Sequence, residues 1–466
     1  MSERHIVIVG GGFSGTALAV QLARRGGAGL RVTVIEPRDA LAQGVAYSTD
    51  DAAHRINVPA ARMQLSAAEE GDFDRWYRAS AAYQADPAAR WHDDSVWPQR
   101  RQFAAYLTLK LDDARRHSAV VVQHLKDRAV ALVDGVVHTA GGARLMADQV
   151  VLAISHPPPD VPPPLRAFRN HPAVIADPWR PGALAGIAAG DRVAIIGSGL
   201  TMADMVASLQ RQGHRGNVLV FSRRGRLPGA NLSGEYADWP LDFQRPQRDS
   251  ARGWLQRVRA EVREAAKVNL PWQRVLDTIR HHAQSIWQRL PLQEQQCFLR
   301  HLRPWWDAHR YRIAPQVSAV LEQRQQSGQL QLLAARLQQV DVQNGSIRLT
   351  LRRRQGAEEI HHVDRLIVTT GPAHSGLIDS DALLSQLAGA GTIRRDAHGL
   401  GIDVSALSQT LNATGQANPH LYVVGPAARG RFGELMGLPQ VAEHAEQLAR
   451  QLLEPLLLTA SARCPA

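Results

Sequence analysis

Cysteine is nearly absent from the 466-residue chain: Cys297 and Cys464 are its only two, and they lie far apart. That leaves no disulfide framework and no C-x-x-C pair, which argues against a dithiol redox mechanism. Long apolar runs are missing too, since no segment approaches the roughly 20 residues of a membrane-spanning helix. The start of the chain lacks a basic stretch followed by a long apolar one, so no signal peptide is expected and the cytoplasm is the simplest compartment. Acidic residues are outnumbered, 43 against 54 Lys and Arg, for a net charge of +11. The basic residues are dispersed and no nucleic-acid motif accompanies them, so the pattern reads as a basic solvated surface that attracts anionic cofactors. Neither a nucleic acid nor a stable membrane insertion is expected.

What the chain does have is glycine in two matched places, Gly10-Gly11-Gly12-Phe13-Ser14-Gly15 and Gly197-Ser198-Gly199-Leu200-Thr201-Met202. Each closes a short apolar run, Ile6-Val7-Ile8-Val9 or Arg192-Val193-Ala194-Ile195-Ile196, and opens a helix-like stretch. A turn without side chains lets backbone approach a pyrophosphate, and the following helix presents unpaired N–H groups and a partial positive charge to it. The next strand ends beside the adenosine ribose, and its last residues choose the nucleotide. Glu36 lies 24 positions after Gly12, where a carboxylate accepts ribose hydroxyls and repels a 2′-phosphate, which suits FAD or NAD. Arg223 lies 24 positions after Gly199 and, with Arg224, supplies fork-shaped cationic donors that match a phosphate, favouring NADPH. Met202 stands in the third-glycine position of the second turn, where a small residue normally lets helix and strand pack closely.

A chain of 466 residues exceeds what one core usually holds. We expect an α/β protein of two Rossmann-like dinucleotide-binding domains. Residues 1–164 and 371–466 would form a discontinuous FAD-binding domain, and 165–370 an inserted NAD(P)H-binding domain with a helical insertion at about 249–315. Residues 119–123, 129–133 and 136–139 read as a small sheet, and 148–154 as a buried strand returning to the first domain. The prolines at 157–159 and 162–164 form a stiff exit. Within the insertion, Trp254, Trp272, Trp287, Trp305 and Trp306 are by default packing residues, with stacking platforms for a substrate ring as the alternative. His281, His282, His301 and His309 do not match a ligand spacing, so no metal is expected. A late apolar strand ends at Gly425-Pro426, and a helix follows from about Leu438 to Leu453. The run 452–458 is too short to span a membrane and reads as part of a docked terminal helix.

Residues 10–15, 44–49, 54–59, 197–201, 222–225, 300–303, 306–310 and 425–430 together resemble the bacterial FAD-NAD(P)-binding protein family, over nearly the whole chain. That family is similar in layout to flavin-dependent N-hydroxylating monooxygenases and, more distantly, to Baeyer–Villiger enzymes, although no intact Baeyer–Villiger fingerprint surrounds His171 and Trp179. The resemblance implies that 44–49 and 54–59 lie beside the isoalloxazine ring, that Gly425 approaches the ribitol, and that the helix from Leu438 aims its dipole at the flavin's pyrimidine edge. Asn57 would then hold the nicotinamide or the oxygen-reacted flavin, or else cap its own loop ahead of Pro59. Two positions depart from the common flavoprotein pattern: Pro426 replaces an aspartate, and Ser155 stands where a glycine is common.

The activity expected is that of an FAD-dependent, NADPH-reduced oxidoreductase acting on a small molecule, a monooxygenase with an amine as the acceptor by analogy. The alternatives are a reductase that passes electrons to a quinone or redox protein, and a non-catalytic dinucleotide-binding redox sensor. No catalytic acid–base residue stands out, and hydride transfer to a flavin does not require one. Substrate, oligomeric state and pathway are not encoded in any motif.

Overall fold

The computed structural model describes residues 3–154, 157, 159–234, 236–242, 249–343, 345–354 and 356–461. Ser155, Pro158 and Cys464 lie outside them, as do the side chains of 455–461.

Strand β1 (Arg4–Val9) is rich in Val and Ile, whose branched Cβ favours extended backbone. Ile6 and Ile8 enter one apolar cluster and Val7 and Val9 another, so both faces of the strand are covered, as a parallel sheet requires. The helix Phe13–Arg25 leads to β2 (Leu30–Ile35), and the helix Arg100–Arg116 to β3 (Val121–Leu125). An antiparallel meander follows, β4 (Ala129–Val133), β5 (Val136–Thr139) and β6 (Arg144–Met146), before β7 (Gln149–Leu152) returns beside β1. By sequence, residues 119–123 belong with the small sheet; instead β3 lies parallel to β2, with Val34 opposite His124. The helix before β3 makes it the end of a crossover, and a crossover delivers its strand parallel to the main sheet.

The second sheet takes β8 (Val174–Ile175), β9 (Val193–Ile196), β10 (Val218–Ser222), β11 (Leu330–Gln343), β12 (Ser346–Arg353), β13 (Glu358–Val363) and β14 (Arg365–Val368) in the order β13-β12-β11-β10-β9-β14-β8. The chain then rejoins the first sheet through β15 (Gln409–Leu411) and β16 (Ala417–Val423), giving β15-β16-β7-β1-β2-β3. The terminal helix Leu438–Ser461 packs beside the helix Phe13–Arg25, with Leu452 and Leu453 buried. Among the described residues no helix is long and apolar enough to cross a membrane.

Between β10 and β11 the insertion forms the helices Ala251–Lys267, Trp272–His281, Ala283–Arg289, Leu292–Cys297 and Arg303–Arg310, with a π-helical turn at Phe298–Leu302. It has its own small core of Trp254, Ile279 and Leu290, with Trp306 packed against it.

Polar contacts fix the two sheets' helices against each other. Arg100 Nη2 donates to both carboxylate oxygens of Asp204 at 3.0 and 2.8 Å, and Arg100 Nε donates to the Arg55 carbonyl at 3.0 Å. Asp204 sits in the helix Leu200–Arg211, and both side chains of the pair are less than a tenth exposed. A buried charge that loses its partner is strongly unfavourable. Asp204→Ala is therefore expected to cost about 3–5 kcal/mol of stability; denaturant unfolding of the purified variant checks this, and a change within error of wild type would show that water reaches Arg100.

Candidate functional site

At the first glycine turn Gly10 has φ +108°, and a side chain there would run into the carbonyl of Ala153 at the end of β7. A Cβ at Gly15 would collide with the Gly10 carbonyl, so the helix can lie this close to the strand only without one. Gly12 faces outward, its nearest neighbour being the Gly44 Cα at 3.6 Å from a built Cβ. No side chain caps the helix it opens, and no acid occupies its first turn, so the N–H groups around Phe13 and Ser14 stay available to an anion. Glu36, only 4% exposed, ends β2. Its Oε2 accepts the Gly11 N–H at 2.9 Å and its Oε1 accepts the Arg38 N–H and guanidinium at 3.1 and 3.0 Å. Three of about four acceptor positions are thus used inside the protein, leaving one for a ribose hydroxyl. Arg38 carried no sequence signal beyond lying two residues past Glu36.

The second turn repeats the frame with different occupants. Gly197 has φ +105° and abuts the Thr369 carbonyl, whereas a Cβ at Gly199 would meet nothing within 4 Å. Open space therefore lies over the start of the helix Leu200–Arg211, which again has no side-chain cap; Leu200 and Thr201 are half-buried and Met202 is fully buried. The equal 24-residue spacings hide unequal registers. Val9 pairs with Ile35 just before Glu36, but Ile196 pairs with Phe221, which puts Ser222 in the place of Glu36. Ser222 Oγ accepts from Ser198 Oγ at 2.8 Å and from the Gly225 N–H at 3.0 Å, curling the loop against the turn. Arg223 is exposed and Arg224 half-buried, and neither has a hydrogen-bond or ion-pair partner among the described residues. Arg226 in the same loop stacks on Trp305, 3.6 Å from the ring centroid.

Between the turns lies a polar seam that the sequence did not disclose. His54 Nδ1 shares a hydrogen bond with Thr49 Oγ1 at 2.7 Å and Nε2 one with Ser208 Oγ at 2.9 Å, and burial holds the ring's pKa below its usual value. Asn57 is half-buried; its carbonyl accepts from Asn231 Nδ2 at 3.2 Å, and the same amide donates to the Ile313 carbonyl at 2.8 Å. The Asn57 side chain has no partner among the described residues, and the 3-10 turn beginning after Pro59 is not capped by a side chain.

Gly425 has φ +86°, and a side chain there would strike Ser14 Oγ. Its N–H donates to His444 Nδ1 at 3.1 Å, so the ring proton sits on Nε2 and is donated to Ser408 Oγ at 2.7 Å. Leu438, 9% exposed, opens the terminal helix. Two guanidinium groups, the half-buried one of Arg280 and the buried one of Arg310, reach this end: a built Cβ on Gly437 would touch Arg280, and would lie 3.0 Å from Arg310 Nη2. Arg310 pairs with Glu434, and burial pushes its pKa down to about 10. A helix N-terminus with two guanidinium groups beside it suits a negative or electron-rich group.

The insertion encloses a cavity of about 780 Å³ lined by Trp254, Trp272, Trp287, Trp305 and Trp306, with Met436 in its wall. All five line this space; Trp254 and Trp306 also pack in the insertion's core, whereas Trp305 is exposed. His309 bonds the Trp305 carbonyl at 2.7 Å, and among the described residues no group of three His, Cys, Asp or Glu side chains is placed to hold a metal.

Residues 7–157 match the family described as FAD-NAD(P)-binding. Among solved structures, an ornithine N-hydroxylase of Kutzneria sp. 744 bearing reduced FAD, NADP+ and L-ornithine superposes with a TM-score of 0.64 at 16% identity, covering 98% of this chain and 100% of that one. The reduced ornithine hydroxylase of Pseudomonas aeruginosa gives 0.61 at 16% identity with the same coverages. An FAD-bound cadaverine monooxygenase of the desferrioxamine pathway from Erwinia amylovora gives 0.61 at 13% identity, covering 96% of this chain and 94% of that one. At these identities the likeness establishes the fold, an α/β architecture, over nearly the full length of the chain. No curated protein sequence matches the chain.

His444 yields a pH-dependent expectation. Burial pushes its pKa down to about 4 from an ordinary value of 6.5, so the unfolded chain binds the proton first as pH falls. Its contribution is complete above pH 6.5 and is lost progressively toward pH 4. The thermal midpoint should decline over that window, and His444→Leu should flatten part of the slope; an unchanged slope would mean the ring is protonated in the folded state.

Proposed function

We propose that this chain is an FAD-dependent, NADPH-reduced monooxygenase that hydroxylates the amine nitrogen of a small molecule. The observation that carries the reading is the full-length match to N-hydroxylating enzymes, at 98% of this chain and 100% of the Kutzneria protein. The balanced reaction converts amine, O2, NADPH and a proton to hydroxylamine, NADP+ and water. In the division that goes with it, 1–164 and 371–466 hold FAD, and 165–370 hold NADPH, with the helices at about 249–315 walling the substrate.

Bound FAD would accept the hydride and react with oxygen, chemistry that belongs to the cofactor. The chain's own contribution is placement. The helix starts at Gly12 and Gly199 receive the two pyrophosphates, and Gly10 and Gly15 allow the backbone to come close enough. Glu36 takes a ribose hydroxyl with its remaining acceptor position. Arg223 and Arg224, cationic and unengaged, take the 2′-phosphate. The Asn57 amide, free on one side of the seam, orients the nicotinamide carboxamide. Gly425 and the helix from Leu438 close on the flavin from the far side, where the helix dipole and Arg280 favour negative charge on the reduced ring.

Reconstitution with FAD, followed by NADPH oxidation and product analysis with a panel of amines, tests the reading. Flavin binding and a hydroxylamine product are expected. NADPH oxidation without oxygen in the product would replace it with a reductase, and failure to bind flavin would leave a sensor. Arg223→Ala should raise KM for NADPH about tenfold to a hundredfold, the loss of a charge-assisted bond, while KM for NADH stays put. Equal effects on both would remove Arg223 from the phosphate site.

A further inference from the structure

Resting on that reading, we infer that the cavity of the insertion is the substrate pocket and takes a molecule with an aromatic or branched apolar body and a carboxylate at its outer end, rather than a free basic amino acid or diamine. Trp254, Val258, Leu276, Ile279, Trp287 and Trp306 enclose about 780 Å³, within the range of pockets that bury a drug-sized ligand, roughly 300–1,000 Å³. A ligand that is mostly charge would be desolvated there without compensation. The acids that line the space are already engaged: Asp307 accepts from Arg303 Nε at 3.3 Å, and Glu434 pairs with Arg310. A second ammonium group therefore finds no free carboxylate in the lining.

The free charges of the lining have the opposite sign. Arg259 and Arg263 stand one turn apart on the helix Ala251–Lys267, both exposed, both bordering the cavity, and neither has a hydrogen-bond or ion-pair partner among the described residues. Like charges four residues apart repel, and a carboxylate held between two guanidinium groups removes that repulsion with charge-assisted bonds. A second part of the lining sets the direction of the ligand. Gly433 packs against the Trp287 ring, whose Nε1–H donates to the Gly430 carbonyl at 3.0 Å, and Met436 leads into Gly437 at the start of the terminal helix. The anionic end thus stays at the mouth, and the apolar body, with the amine to be hydroxylated at its inner tip, points toward the end of the molecule assigned to the flavin.

Tryptophan fluorescence of the FAD-reconstituted full-length protein, titrated with 4-phenylbutyrate, 4-phenylbutyramide and L-ornithine, tests this without turnover. Saturable quenching by phenylbutyrate is expected, with the neutral amide bound about tenfold more weakly and no competition by ornithine at millimolar concentration. The exposed double variant R259Q/R263Q should lose the preference for the acid while retaining the amide, and Leu276→Trp, which fills the cavity, should lose both. Equal binding of acid and amide, or no effect of the double variant, overturns the carboxylate assignment; phenylbutyrate binding that survives Leu276→Trp overturns the pocket. Hydroxylation of free ornithine would sink this inference and leave the monooxygenase standing, whereas phenylbutyrate binding in a protein that never consumes oxygen would do the reverse.

Discussion

The relative orientation of the two glycine-turn units rests on a buried joint. Arg100, at the start of one helix of the first unit, reaches Asp204 in the glycine-turn helix of the second. The same guanidinium holds the Arg55 carbonyl, and so steadies the segment 54–59 that carries Asn57. His54 adds a neutral contact to Ser208 on the same helix. The ion pair is there for geometry, since a buried pair of charges adds little net stability over an apolar contact of the same shape.

From that joint the chemistry spreads in two directions. At the glycine turns, both use the same device, a carbonyl pressed against a glycine at positive φ, and they differ at the third-glycine position, Gly15 against Met202, and at the end of the second strand. Toward the insertion, Asn231 ties Asn57 to Ile313, and Arg226 lies over Trp305, so the loop bearing Arg223 and Arg224 touches the helices that enclose the cavity. Loop and cavity wall are thus mechanically adjacent, although they are some 80 residues apart in sequence.

Much of this was legible beforehand where the signal is local. The strand, turn and helix around Gly10 and Gly197 follow from runs of Val and Ile closed by glycine, and the helical insertion from its composition. The assignment of residues 119–123 failed because an alternating apolar segment fits either a small meander or the edge of a large parallel sheet, and only the preceding crossover helix distinguishes them. The matched spacing from Gly12 to Glu36 and from Gly199 to Arg223 was real as arithmetic, yet pairing puts Ser222 opposite the Glu36 position, because spacing counts residues and register counts hydrogen bonds.

The sequence by itself determined the local pieces: two glycine turns each between a strand and a helix, with an acid after the second strand of one and arginines after that of the other. Those are properties of short segments, where a glycine's missing Cβ or a side chain's charge acts within a turn or a strand end. Tertiary structure decided what the units do to each other. The pairing of Arg100 with Asp204, the two guanidinium groups gathered at Gly437, and the engagement of Glu434 by Arg310 at the cavity wall all join residues about 100 or more apart. No periodicity or spacing encodes such meetings, since each depends on how whole sheets and helices pack and on which polar groups must find partners once water is gone.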